Sequence, residues 1–325
     1  MKAMKKFLRI IGKILLVLLI VLILFLIVMF IYNKVKIKQE SIIFENPIGR
    51  YVEIDGHKMC VYTEGEGTHT FVFLSGSGTS SPILDFKSIY SRLSDDYRIV
   101  VIEKFGYGFS DISGTERDFD TILRQDREAL SKLGIEAPFI LCPHSMSGLE
   151  AIMWSQQYPE EVEAVIGLDM ATPEAYEGRE ISEGTEKVAY AINAAARDFG
   201  ILRLLGDEQL MTSTVLSPEE KEMYRKILYA RLLNDDVISE GDYTDEACDK
   251  IRSQDMPGIP MLLFVSDGSG GTGIDKDSWR GIAKEFASKC QAAQIVELDC
   301  PHYVHNYETD CIEEEMRSFV ETLDD

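Results

Sequence analysis

The chain has 325 residues and a formal net charge of -22, with 33 Lys and Arg against 55 Asp and Glu. Residues 1–40 carry eight of the basic residues and one acid, Glu40, so residues 41–325 hold 25 basic and 54 acidic side chains, a balance of -29. Such a surface repels polyanions, which excludes nucleic acid as a partner, and the length suits a membrane segment plus one domain of about 280 residues.

Residues 1–13 form a basic segment (Lys2, Lys5, Lys6, Arg9, Lys13). Ile14 to Ile31 are eighteen consecutive apolar residues without Pro, Gly or charge. As a helix they would reach about 27 Å, close to a hydrocarbon core of roughly 30 Å, so residues 14–32 read as a transmembrane helix. A cleaved signal peptide is the alternative, but it needs a shorter apolar region and a small-x-small cleavage site, and Ile31-Tyr32-Asn33-Lys34-Val35-Lys36 offers none. Five basic residues before the span against Lys34, Lys36 and Lys38 after it favour the N-terminus inside. The expectation is a single-pass protein of the cell membrane, its large domain outside.

Residues 33–48 read as a short polar stalk, and residues 49–325 as the folded domain. Tyr51 to Ile54 and His57 to Thr63, joined by Asp55-Gly56, predict an antiparallel hairpin. Continuous apolar runs follow at Thr70–Ser75, Arg98–Glu103, Pro138–His144, Val162–Asp169, Met261–Ser266 and Gln294–Asp299, separated by stretches of helical period. Runs apolar on both faces belong to a parallel sheet covered on both sides, so the fold class is a doubly wound, mostly parallel α/β sheet. About 90 residues between Asp169 and Met261 exceed what a crossover needs. Helix-like segments near Glu180–Leu205 and Ser217–Leu233 make residues 173–256 a helical lid. The six cysteines form no C-x-x-C and no metal spacing, and Cys290 and Cys300 flank one strand too far apart to pair.

Phe139-Ile140-Leu141-Cys142-Pro143-His144-Ser145-Met146-Ser147-Gly148-Leu149-Glu150-Ala151 runs an apolar strand through a serine into a helix. A serine on such a turn is presented above the sheet, beside N–H groups that favour negative charge. The segment resembles the nucleophile elbow of the α/β-hydrolase superfamily, usually G-x-S-x-G, with Pro143 and Ser147 in place of its glycines. Phe71-Val72-Phe73-Leu74-Ser75-Gly76-Ser77-Gly78-Thr79 resembles the oxyanion loop of that superfamily, with Ser75 where histidine is usual. By that resemblance the backbone N–H groups of Ser77 and Met146 would hold an oxyanion. Val101-Ile102-Glu103-Lys104-Phe105-Gly106-Tyr107-Gly108-Phe109-Ser110-Asp111 is similar to its D-x-R-G-x-G-x-S segment, which shapes the floor of the site.

Of five histidines, His302 and His305 directly follow the final strand, where the resemblance places the general base. His302 takes that role and His305 a supporting one; a metal reading of the two lacks a third ligand. Two carboxylates compete to orient the base. Asp267 follows the strand after which most family members carry the acid, but two residues early; Asp169 ends the preceding strand in a Gly167-Leu168-Asp169 run like that of members with a displaced acid. Asp169 is the first choice and Asp267 the alternative.

The resemblance implies a serine hydrolase that cleaves a small-molecule ester or related acyl bond through an acyl-enzyme, without metal or organic cofactor. Acyl transfer, peptide cleavage and perhydrolysis use the same groups. The rival is a catalytically silent ectodomain of this fold that binds a ligand or partner, to which the unusual Pro143, Ser75 and Ser147 point.

Overall fold

A computed structural model describes residues 2–177, 183–206, 211–213 and 215–324. Helix α1 (Lys2–Glu40) opens the chain, and it is long and apolar enough to cross a membrane. It does not end where the apolar run ends. Residues 33–40, read above as the start of a stalk, continue the helix to Glu40, and a 3-10 turn, Ser41–Glu45, follows. The reason is local and tertiary together: Lys, Gln and Glu are good helix formers, neither Gly nor Pro intervenes, and Asn33 and Glu40 bond to a distant segment.

The domain is an eight-stranded sheet: β1 (Arg50–Ile54), β2 (His57–Glu64), β3 (Thr70–Leu74), β4 (Arg98–Glu103), β5 (Phe139–Pro143), β6 (Val162–Leu168), β7 (Met261–Val265) and β8 (Ala293–Glu297). The spatial order is β1-β2-β4-β3-β5-β6-β7-β8. β1 and β2 pair antiparallel, with Asp55 and Gly56 both at positive φ in the turn between them. From β4 to β8 every pairing is parallel. The apolar runs fall on the strands as their pattern requires: β3, β5 and β7 are buried at every residue, whereas the edge strand β8 is only partly covered.

Helices cover both faces. They are α2 (Pro82–Asp85), α3 (Lys87–Leu93), α4 (Phe119–Lys132), α5 (Ser147–Gln157), α6 (Glu183–Asp198), α7 (Pro218–Arg231), α8 (Asp235–Asp242), α9 (Thr244–Arg252), α10 (Lys276–Lys289), α11 (Val304–Tyr307) and α12 (Thr309–Glu321). One core holds Leu141, Leu149, Trp154 and Phe286 on one face of the sheet; a second holds Phe73, Ile89, Phe264 and Phe319 on the other. Helices α6 to α9 lie in the long interval between β6 and β7. The two helical segments expected there correspond to α6 and α7, the latter opened by a capping box of Ser217 and Glu220. Of the interval 173–256, residues 178–182, 207–210 and 214 lie outside the described residues. All six cysteines are free.

The loop after β4 is organised by a buried carboxylate. Glu103 accepts from Phe109 N at 2.7 Å and Ile83 N at 3.4 Å, and burial raises its pKa to about 7. Because this folded-state value lies above the unfolded one, the contribution of Glu103 to stability is complete below pH 4.5 and declines as pH rises to about 7. At about 1.4 kcal/mol per pKa unit, the decline is on the order of 3 kcal/mol. In urea unfolding, the stability advantage of wild type over Glu103→Gln is therefore expected to shrink by roughly that amount from pH 4.5 to pH 7.5. A constant difference across the range would show that this carboxyl titrates normally.

Candidate active site

Ser145 lies between β5 and α5 with φ of 55°, a left-handed conformation that costs a non-glycine residue of order 1 kcal/mol or more. Its neighbours fix the turn. Gly148 N donates to Ser145 O at 2.9 Å and Ala171 N donates to the same oxygen at 2.8 Å, which ties the elbow to the chain leaving β6. The side chain is partly open to solvent, while His144 and Met146 on either side are buried.

The structure accounts for both departures from the usual elbow. Ser147 is the first residue of α5 and lies clear of the left-handed region, so no glycine is needed. Its hydroxyl accepts from His144 N at 3.0 Å and lies 2.7 Å from Leu74 O, bracing the turn. Pro143 sits where the ladder between β5 and β6 lapses, after the pair Leu141–Val165 and before the bridge His144–Leu168, so its missing N–H costs little.

The loop after β3 closes over the elbow. A Cβ on Gly76 would lie 2.4 Å from Ser145 Cβ and 2.9 Å from His144 O, so only glycine permits this approach. Ser77 follows it, partly exposed like Ser145. Met146 is the N-cap of α5, and its backbone N–H stands at the positive end of that helix.

His302 follows β8 and is buried, its Nδ1 2.5 Å from Asp169 Oδ2. Asp169 also has positive φ, 53°, and is buried. Its other oxygen accepts from Ser266 N at 2.7 Å and from Trp279 Nε1 at 2.8 Å. Asp267 is elsewhere: its Oδ1 accepts from Ser269 N, capping its own turn, and that bonding lowers its pKa. Of the two candidate acids, Asp169 is the one beside the imidazole.

His305 lies deeper. Its Nε2 is 2.9 Å from Asp85 Oδ2, a second buried His–Asp pair. His144 donates from Nε2 to His302 O at 3.2 Å, and burial holds its pKa well below the ordinary range, so this ring is neutral. Among the described residues no group of three His, Cys, Asp or Glu side chains is arranged to hold a metal ion. A cavity of about 310 Å³ adjoins the site, lined by Gly78 and Tyr303 from the core and by Asn193, Leu205, Met211 and Tyr224 from the lid.

Sequence reasoning did not find Trp279. Its indole on α10 reaches a strand end 110 residues away, and the sequence offers as signal only that it is one of two tryptophans, placed on the helix after β7.

A mostly parallel sheet with a strained serine at a strand–helix turn and a His–Asp pair that joins the ends of β6 and β8 defines a hydrolase-type α/β fold. The chain belongs to the α/β hydrolase fold family, whose model matches residues 69–309. It is 34% identical over 299 residues to an uncharacterised protein, YbdG, of Bacillus subtilis (strain 168), covering 87% of this chain and 89% of the relative. Among solved structures it is similar in fold to an esterase from Thermogutta terrifontis, with a TM-score of 0.64 and 16% identity over 84% of this chain and 99% of the other. A haloalkane dehalogenase variant from Bradyrhizobium elkanii gives 0.59 and 17% over 85% and 96%.

The indole bond can be tested by stability alone. Trp279→Phe keeps the ring but removes one donor to a buried carboxylate, and is expected to destabilise the domain by about 1–3 kcal/mol in urea unfolding. No loss would mean that the Asp169–Trp279 bond contributes nothing net.

Proposed function

We propose that the protein is a membrane-anchored serine hydrolase of acyl esters, held in the cell membrane by α1 with its domain outside. The observation that carries this reading is the His302–Asp169 hydrogen bond, 2.5 Å long, on the sheet edge that presents Ser145.

Asp169 fixes the tautomer of His302 by accepting from Nδ1, which leaves Nε2 as the base. His302 takes the proton of Ser145 Oγ as that oxygen attacks the acyl carbon. The resulting oxyanion is met by the N–H groups of Ser77 and Met146, each such donor being worth about 3–4 kcal/mol of barrier. The same imidazole returns the proton to the leaving alcohol, and water then cleaves the acyl-enzyme by the reverse sequence. A serine at the elbow suits acyl chemistry, the class to which the esterase among the similar solved structures belongs. The basic residues before the apolar span outnumber those after it, which supports the outward orientation.

A fluorophosphonate probe is expected to label wild type and not Ser145→Ala. A folded wild-type protein that neither labels nor turns over esters would instead leave the silent, ligand-binding ectodomain. Asp169→Asn is expected to lower kcat about 10⁴-fold by presenting the wrong tautomer, with Asp267→Asn near wild type. The reverse ranking would assign the acid to Asp267.

A further inference from the structure

The end of α1 is built into the lid. Phe30, the penultimate residue of the apolar run, packs on Phe199 with ring centroids 5.7 Å apart. Asn33, two residues or about 3 Å beyond that run, is completely buried. Its amide donates to Arg197 O at 2.8 Å and Asp198 O at 3.1 Å, and its Oδ1 accepts from Arg203 Nε at 2.7 Å. The Arg203 guanidinium continues to both oxygens of Glu40, at 3.0 and 2.7 Å, and stacks over Tyr229. Gly200 makes the joint possible: its φ is 72°, and a Cβ there would lie 2.8 Å from Asn33 Cβ. A span that ends at Ile31 therefore fixes residues 197–203 at the boundary between hydrocarbon and headgroups.

The apolar surface of the domain gathers at that level. Among the described residues beyond α1, nine large apolar side chains are exposed, and five of them lie between 188 and 215: Val188, Ile192, Leu204, Leu205 and Val215. Val188 and Ile192 are four apart on α6 and share one face of it, 58% and 64% exposed. Leu204 adjoins the anchored Arg203. Leu205 is 43% exposed and also lines the cavity that runs to Gly78 and Tyr303, beside the oxyanion loop and His302.

We infer that the lid face of Val188, Ile192 and Leu204 lies in the outer membrane interface and opens the cavity toward the bilayer, so that the substrate is a membrane-resident acyl lipid. This rests on the serine-hydrolase reading above. An amphipathic helix lying in the interface buries its apolar face at the headgroup–acyl boundary. The ester carbonyls of a glycerolipid occupy the same depth. Entry beside Leu205 then delivers an ester to Ser145 without the acyl chain crossing water.

The test uses the full chain in phosphatidylcholine vesicles. Tryptophan fluorescence of Ile192→Trp is expected to be quenched by brominated phosphatidylcholine about twofold or more above that of Ser131→Trp, at the opposite end of the sheet; the native Trp154 and Trp279 are buried in both. Equal quenching at the two positions overturns the membrane-facing lid. Ile192→Asp with Leu204→Asp is expected to lower turnover of a bilayer diacylglycerol about tenfold, with p-nitrophenyl acetate hydrolysis within about twofold of wild type. Parallel loss on both esters, or hydrolysis of the soluble ester alone by wild type, overturns the substrate class. Hydrolysis of neither, with quenching at residue 192 intact, removes the hydrolase reading and its substrate but leaves the lid at the membrane.

Discussion

A buried carboxylate needs donors, and the donors to Asp169 come from three separate parts of the chain. Ser266 N directly follows β7, Trp279 Nε1 projects from α10, and His302 Nδ1 follows β8. An uncompensated charge at this depth would cost several kcal/mol, so these pieces are held to one arrangement. That arrangement aligns the ends of β6, β7 and β8 at one edge of the sheet. The strain at Ser145 and Asp169, both at positive φ, persists because Ala171 N bonds to Ser145 O and Asp169 N bonds to Phe264 O across the same edge.

The lid is joined to this core through charge rather than through apolar packing alone. Tyr107 donates to Glu240 of α8 at 2.5 Å, and Lys104 lies 3.5 Å from Glu240 and 3.3 Å from Glu150, five residues after Ser145. Arg117 adds a second buried cation beside Glu240, 3.6 Å away. Asp126 joins the group with its pKa pushed up by burial and by the neighbouring Glu150. Buried polar groups of this kind tolerate few rearrangements, because any partner that moves leaves another uncompensated. Helix α8 is thereby pinned to the segment after β4, while α6, earlier in the same interval, rests on α1.

What the sequence made legible follows from how local each signal is. The parallel strands were visible because a sheet covered on both faces imposes unbroken apolar runs, and the 90-residue interval marked the lid by its excess length. The turn at Ser145 was visible because strand, serine and helix are contiguous. The choice between Asp169 and Asp267 stayed open in the sequence, since both end strands near the base; only their bonding separates them. The donor role of Trp279 depends on how α10 crosses the sheet, which no pattern encodes. The segment after the apolar run was misread for a related reason. Lys, Gln and Glu suit a linker and an exposed helix equally, and the partner that decides for the helix, Arg203, is 170 residues from Asn33.

That joint makes the end of α1 a part of the folded domain. A chain shortened to begin at residue 49 would lose the side chains of Asn33 and Glu40 and leave the Arg203 guanidinium without the three hydrogen bonds they accept. The carbonyls of Arg197 and Asp198 would lose their amide donor, and Phe199 its aromatic partner. A domain freed of residues 1–48 would thus display a segment 197–203 unlike the one the intact chain holds in place.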